Sequence, residues 1–119
     1  MEVPKIFESE YRFCEILWEN EPVTSSELVR LCRERLEWKK STTYTVIRRL
    51  AERGVLKSED AVVTSLISRE DAQSAESAEV VERTFSGSLP SFIAAFTRKK
   101  NLSKQEIDEI QKIIDTYKD

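Results

Sequence analysis

Hydroxyl-bearing and cationic side chains are concentrated in one stretch of the chain, residues 41–49. If this stretch is helical, its apolar residues fall on one face and its polar residues fall on the other face or its flanks. The inward face would hold Thr43, Val46, Ile47 and Leu50, and the outward face would hold Ser41, Tyr44, Thr45, Arg48, Arg49 and Glu52. Hydroxyls near a helix start can reach base edges or phosphates, and arginines further along can reach the DNA backbone. The stretch therefore favours recognition of DNA, with an ordinary solvated helix face as the alternative.

The distribution of charge separates these two interpretations. The chain has 19 Lys and Arg against 22 Asp and Glu, and this net charge of −3 taken alone speaks against a nucleic-acid partner. The net charge is −5 over residues 1–29, +6 over 30–57, −6 over 58–82 and +2 over 83–119. A solvated face would not require the one strongly positive block to coincide with the polar helix. Counterion release lets such a block supply affinity for DNA whatever the charge of the remainder.

The composition excludes several classes of function. The chain has no His and only two Gly, Gly54 and Gly87, which excludes histidine catalysis, His-ligated metals and glycine-rich phosphate loops. Cys14 and Cys32 fall in apolar helical stripes, so we expect buried reduced thiols, with a redox or copper sensor as the alternative. The sequence shows no set of a nucleophile, a general base and an orienting group, and no cluster of metal ligands. We therefore predict no enzyme, no metal and no cofactor. Without a membrane-length apolar segment or a secretory pattern, we expect a cytoplasmic protein with no membrane contact.

Caps, breakers and hydrophobic period predict three helices and a hairpin in the first part of the chain. The helices lie near residues 8–19, 25–36 and 42–53. Thr24 and Glu27 form a capping box for the second helix, and Ser41 and Thr42 mark the start of the third. Residues 55–56 and 62–67 then form two short strands around a turn at residues 58–60. This order of elements is typical of a winged helix-turn-helix.

Three further amphipathic helices are predicted in the remainder, and each begins at a serine: Ser68, Ser88 and Ser103. A segment of about 50 residues is marginal as a lone core, so we expect it to oligomerise. The predicted dimerisation residues are Phe92, Phe96, Ile107, Ile110, Ile113 and Ile114. The predicted fold is mainly α with a small β-hairpin, a winged helix-turn-helix over residues 1–67 followed by a three-helix dimerisation region over residues 68–119.

One ordered series of residues runs through nearly the whole chain. It comprises Leu17-Trp18-Glu19, Pro22, Thr24, Glu27, Leu28, Trp38, Ser41, Thr42, Thr45, Val46, Ile47, Arg49, Leu50 and Gly54, then Phe85, Gly87, Ser88, Leu89, Ala94-Ala95-Phe96, Leu102-Ser103, Glu106 and Ile107. The series resembles the family of penicillinase repressors, methicillin-resistance repressors and copper-transport repressors (the BlaI/MecI/CopY family). The resemblance implies a winged helix that reads the major groove and a C-terminal region that dimerises on a palindromic operator to repress transcription.

The resemblance also assigns contact residues. It places Ser41, Thr42, Tyr44 and Thr45 towards the bases, with Arg48 and Arg49 near phosphate. Relatives often have a cation where Tyr44 stands, so the preferred operator can differ from the family's usual one. Relatives tend to have a basic and aromatic wing, whereas the hairpin tip here is Ser58-Glu59-Asp60. The electrostatic contacts to DNA are then left to Lys39, Lys40, Arg48, Arg49, Arg53 and Lys57.

Two routes of induction are implied by different branches of the family. The copper branch ends in a cysteine-rich tail, which residues 115–119 lack, so copper release is not expected. In the antibiotic-resistance branch, a sensor-linked protease cuts an Asn-Phe bond, and the matching position here is Ala95-Phe96. Cleavage there by such a protease partner is one hypothesis, and the favoured alternative is that Phe96 is a core residue of the fifth helix.

The sequence therefore predicts a homodimeric DNA-binding transcriptional repressor that recognises a palindromic operator of double-stranded DNA through its third helix. The alternative is a winged-helix protein-interaction module that binds no DNA, which the acidic wing and acidic total charge favour. The salt dependence of DNA binding distinguishes the two.

Overall fold

The structure is a computed structural model that describes residues 2–117. Its elements in chain order are α1 (Glu8–Asn20), β1 (Val23–Thr24), α2 (Ser25–Leu36), α3 (Lys40–Glu52), β2 (Leu56–Glu59), β3 (Val62–Ser65), α4 (Arg69–Phe85), α5 (Leu89–Thr97) and α6 (Lys104–Asp115). The predicted class, mainly helical with a small β element, is confirmed. No helix formed by the described residues is both long and apolar enough to cross a lipid bilayer.

The chain divides into two compact units, one through Glu76 and one from Ser77, so the division falls inside α4. The predicted domains 1–67 and 68–119 stay a prediction. Their terminal residues, Met1, Lys118 and Asp119, lie outside the described part of the chain.

The core of the N-terminal unit is formed by the apolar faces of α1, α2 and α3 together with the sheet. Its fully buried side chains include Phe13, Cys14, Leu17, Leu28, Cys32, Leu50, Leu56 and Val63, which confirms the expectation that both cysteines are buried. At the start of α2, the Glu27 N–H donates to Thr24 Oγ1 over 3.1 Å, as predicted. The other half of the predicted capping box is wrong, because the Glu27 carboxylate accepts from Arg30 instead.

The sheet has three antiparallel strands in the order β1-β3-β2, with Val23 opposite Val63 and Leu56 opposite Ser65. Only the β2–β3 hairpin was predicted. The predicted turn at residues 58–60 is wrong by about one position, because Ser58 and Glu59 belong to β2. The chain reverses at Asp60 and Ala61, whose φ angles of 51° and 63° are those that a two-residue type I′ turn requires.

The third helix begins at Lys40, two residues earlier than predicted. Ser41 and Thr42 therefore lie within its first turn and do not cap it. The residue before the helix is Lys39, whose carbonyl accepts the N–H groups of Thr42 and Thr43 and whose side chain makes no cap. The early start follows from the end of α2, where Glu37 turns the chain at once with a left-handed φ of 57°.

In the C-terminal unit, α5 and α6 begin at the capping serines that the sequence predicts. Ser88 Oγ accepts from the Ser91 N–H over 3.1 Å, and Ser103 forms a complete capping box with Glu106. No residue of α5 or α6 is buried within the single chain. Phe96 is 50% exposed in the single chain and contacts the ring of Phe92, and its interpretation as a core residue of the fifth helix stays a prediction.

Candidate nucleic-acid interface

The two faces of α3 divide as the sequence predicts. The inward side chains Thr43, Val46, Ile47 and Leu50 are all buried. The outward side chains Lys40, Ser41, Thr42, Tyr44, Arg48 and Arg49 are exposed, and Thr45 is half-buried at the boundary. The exposed hydroxyl and cationic groups thus share one continuous helical face, which is the first requirement for reading a groove of DNA.

A tight turn holds α3 against the rest of the N-terminal unit. The turn consists of Glu37, Trp38 and Lys39, and the Trp38 N–H donates to the Cys32 carbonyl over 3.3 Å. The Trp38 indole stacks on the ring of Phe13 in α1, with the ring planes 4° apart. Helix α3 therefore follows α2 in a fixed orientation, as in a helix-turn-helix.

Several cations of this face have no close ion-pair partner among the described residues. No carboxylate there lies within salt-bridge distance of Lys39, Lys40 or Arg49. Arg48 has only a long contact, with its Nε 3.8 Å from Glu52 Oε1 and both side chains about two-thirds exposed. Exposed pairs of this kind contribute little free energy, so Arg48 can exchange its partner for a phosphate at small cost. The Lys40 ammonium lies 6.0 Å from the centre of the Tyr44 ring.

Arg53, which the sequence groups with the DNA contacts, is positioned differently from the others. Its guanidinium forms a salt bridge with the buried carboxylate of Glu10 and donates to the Lys5 carbonyl over 2.8 Å. It also lies 5.2 Å from the centre of the Phe7 ring. These contacts turn the side chain towards the N-terminal segment, Lys5–Glu10.

Glu10 is the buried partner in this arrangement, with only 6% of its surface exposed. Burial raises its pKa, but the hydrogen bonds from Arg53 and the Phe7 N–H and the charges of Arg53 and Arg49 together leave the pKa below its ordinary value. Glu10 is therefore ionised near neutral pH. The sequence gives no sign of this pair because the two residues are 43 positions apart.

The wing is short and acidic, as the sequence predicts. Glu59 is exposed, and its carboxylate lies 3.8 Å from the ammonium of Lys57, so the one cation of the strand has a neighbour of opposite charge. The turn is also attached to the helix-turn-helix, because the Ser25 N–H donates to the Ala61 carbonyl over 2.9 Å. The cationic surface is therefore carried by α3 and the turn before it.

One buried polar group lies on the inward face of α3, as the helical period predicts. The Thr43 hydroxyl is fully buried and makes no hydrogen bond of standard geometry. Burial raises the pKa of the neighbouring Cys32 thiol, and the Thr43 hydroxyl partly offsets this rise. Burial also raises the pKa of the Cys14 thiol to about 12. In the described part of the chain, no cluster of three or more His, Cys, Asp or Glu could hold a metal ion.

The other predicted site residues lie in the C-terminal unit. Phe92 is half-buried and contacts the rings of Phe85 and Phe96, with centroid distances of 5.5 and 6.1 Å. The four isoleucines of α6 are between 37% and 61% exposed, which leaves an apolar stripe without cover in the single chain. Ala95 and Phe96, the candidate cleavage position, are both exposed on α5.

Comparison with known proteins agrees with this geometry. The profile of the penicillinase repressor family matches residues 6–116. The chain is 24% identical over 120 residues to the penicillinase repressor of Bacillus licheniformis, covering 98% of this chain and 94% of the relative. It is 24% identical over 114 residues to the methicillin resistance regulatory protein MecI of Staphylococcus aureus strain Mu50, covering 92% and 93%, respectively. The protein of that name from Mammaliicoccus sciuri is 23% identical over the same coverage.

The family match extends through both units and includes every helix and strand of the structure. The matched residues thus include the helix-turn-helix with its small sheet and the three helices that follow. The resemblance inferred from the ordered residue series is confirmed, and the protein belongs to the penicillinase repressor family of DNA-binding transcriptional repressors.

Proposed function

We propose that the protein is a homodimeric repressor that binds a palindromic operator in double-stranded DNA through α3 and acts in the cytoplasm. The observation that carries the proposal is the exposed face of α3, on which hydroxyl groups of the first turns lie beside cations that have no close ion-pair partner in the described part of the chain. The family membership supports the same role, since one relative is named a penicillinase repressor and others are named regulators of methicillin resistance.

The residues of this face divide by the chemistry they offer to DNA. Hydroxyl groups of Ser41, Thr42, Tyr44 and Thr45 can exchange hydrogen bonds with base edges in the major groove. The cations Lys39, Lys40, Arg48 and Arg49 supply phosphate contacts, which fix position and carry no sequence information of their own. We leave Arg53 out of this set because its guanidinium is occupied by Glu10 and Lys5.

Dimerisation is supported by the apolar surface that the C-terminal unit leaves uncovered. Phe96, Ile107, Ile110, Ile113 and Ile114 are all exposed in one chain, and Phe92 is half-buried beside them. A surface of this kind on a helical unit without its own deep core is typical of a protein interface. A dimer would present two copies of α3 to two half-sites, as a palindrome requires.

The dimer is tested by charged substitution in α6. Ile113 is 61% exposed, so Ile113→Glu adds no buried charge within one chain. In sedimentation equilibrium we expect Ile113→Glu to shift the protein towards monomer and to weaken operator binding, whereas Gln111→Glu on the same helix should do neither. An unchanged dimer would show that the stripe has another role.

DNA binding is tested by the salt dependence of affinity for the protein's own promoter region. The logarithm of the association constant should fall linearly with the logarithm of salt concentration. Arg49→Ala should weaken binding to every sequence and reduce the magnitude of the slope by about 0.9, the value for one phosphate contact. Thr45→Ala should instead change the preference at one base position. Arg12→Ala, on the exposed face of α1, is the matched control and should leave both properties unchanged. No binding at low salt would favour the protein-interaction module instead.

Induction by proteolysis is a further part of the proposal. A sensor-linked protease that cuts between Ala95 and Phe96 would separate α6 from the DNA-binding unit and so weaken the dimer. Both residues are exposed, although they lie in a helix that must open locally to enter a protease. Immunoblots of induced cells should show a fragment ending near Ala95, and full-length protein alone would exclude this route.

A further inference from the structure

We infer that Glu10 and Arg53 are positioning residues for DNA reading, which hold the C-terminal end of α3 against the N-terminal segment of the chain. The inference rests on the proposed function of α3. It goes further because neither residue belongs to the surface that would touch DNA, and because it assigns Arg53 a role other than phosphate contact.

The contacts of the Arg53 guanidinium carry the inference. Its Nη2 donates to Glu10 Oε2, its Nη1 donates to the Lys5 carbonyl over 2.8 Å, and its Cζ atom lies 5.2 Å from the centre of the Phe7 ring. All three groups belong to the stretch Lys5–Glu10 at the start of α1. A planar guanidinium can make these contacts together, whereas a lysine ammonium has neither the second nitrogen nor the flat surface.

The carboxylate of Glu10 is equally occupied. Its Oε2 faces Arg53, and its Oε1 accepts the Phe7 N–H over 3.0 Å. The Glu10 side chain is only 8% exposed, so little of its carboxylate is open to water while Arg53 is in place. Loss of one member of such a pair leaves a buried charge without compensation, so the pair resists opening.

The pair acts at the opposite end of α3 from the turn that leads into it. At the N-terminal end, Trp38 stacks on Phe13 of α1. At the C-terminal end, Arg53 is bound to Glu10 of the same helix. Helix α1 therefore holds both ends of α3, and the direction of α3 relative to the unit is fixed by two separate contacts.

Base readout depends on this direction more than phosphate contact does. A bidentate or well-directed hydrogen bond to a base edge requires placement within about 0.5 Å and 10–20°. Flexible lysine and arginine side chains can follow a phosphate through a larger displacement. A small rotation of α3 should therefore reduce binding to the operator while leaving binding to unrelated DNA nearly intact.

The experiment measures the ratio of affinities for operator and for unrelated DNA of equal length, together with the salt slope of each. Two variants are compared with the natural protein. Arg53→Lys keeps the charge and removes the planar contacts, and Glu10→Gln keeps the shape and removes the charge. We expect each to lower the ratio about tenfold, the size of one lost base contact, with unchanged salt slopes and unchanged affinity for unrelated DNA.

Arg12→Lys is the matched control, because Arg12 is an exposed arginine of α1 that lies outside both the proposed DNA surface and the Glu10–Arg53 pair. It should leave the ratio unchanged. All proteins are compared at a temperature where circular dichroism shows them folded, and Arg53→Lys carries the test by itself if Glu10→Gln does not fold. Since an unfolded fraction lowers affinity for both DNAs equally, it leaves the ratio unaffected.

Two results would overturn the inference while the proposed function stands. One is a ratio that Arg53→Lys leaves unchanged in a protein that prefers its operator. The other comes from a third variant, Arg53→Gln, which removes the positive charge. An equal loss of affinity for both DNAs with a shallower salt slope in this variant would make Arg53 a phosphate contact. A natural protein that does not prefer operator DNA would instead overturn the proposed function, and this inference with it.

Discussion

The indole ring of Trp38 lies parallel to the phenyl ring of Phe13, with the centroids 6.1 Å apart and the planes at 4°. Phe13 is fully buried in α1, and Trp38 is the middle residue of the three-residue turn that precedes α3. Helix α3 begins without a side-chain cap, so the start of the helix is held against α1 by the packing of these two rings and not by a capping hydrogen bond.

Replacement of Trp38 should therefore weaken the whole N-terminal unit. We expect Trp38→Ala to lower the free energy of unfolding by about 2–3 kcal/mol, less than a fully buried tryptophan would cost because Trp38 is partly exposed. Trp38→Phe keeps an aromatic ring over Phe13 and should lose only about 1 kcal/mol. Urea unfolding followed by circular dichroism measures both, and equal losses would show that the stacked ring contributes nothing specific.

The buried hydroxyl of Thr43 predicts a stabilising substitution. Thr43→Val keeps the branched shape and removes a buried hydroxyl that makes no hydrogen bond of standard geometry and has only the weakly polar Cys32 thiol noted beside it, so the free energy of unfolding should rise by about 1 kcal/mol. Thr42→Val, at an exposed position of the same turn, is the control and should change stability little. If Thr43→Val is destabilising by a similar amount, the hydroxyl must have a partner, and the Cys32 thiol beside it is the candidate.

The Glu10–Arg53 pair predicts a specific dependence of stability on pH. The pKa of Glu10 in the folded protein is lower than its ordinary value of 4.5, so folding favours the ionised form. The stabilisation is fully present above the ordinary pKa and is lost as the pH falls through the lowered one. Urea unfolding of the natural protein and of Glu10→Gln should show stabilities that converge as the pH falls below about 4.5. A constant difference between them down to pH 2 would show that Glu10 ionisation is not linked to folding.

The two cysteines predict slow thiol chemistry. Burial raises the pKa of Cys14 to about 12 and also raises the pKa of Cys32, so the reactive thiolate is scarce at pH 8. We expect a disulfide reagent such as DTNB to react with neither thiol on the timescale of seconds in the folded protein, and with both in urea. Rapid reaction of one equivalent in the folded protein would instead identify an accessible thiol and revive the redox interpretation.

Features decided by neighbouring residues could be predicted from the sequence. The helix starts at Ser88 and Ser103 depend on a cap within three residues, and the buried face of α3 depends only on helical period. Features decided by distant residues could not be predicted. β1 has only two residues and exists because β3 pairs with it, and Arg53 looks like one more DNA-facing cation until Glu10 is placed beside it.

The hydrogen bond from the Ser25 N–H to the Ala61 carbonyl ties the turn of the wing to the first residue of α2. The pairing of β1 with β3 is a second attachment of the wing to the same place, because β1 directly precedes α2. A displacement of the wing would therefore require both the hydrogen bond and the strand pairing to break, which couples the wing to the start of α2.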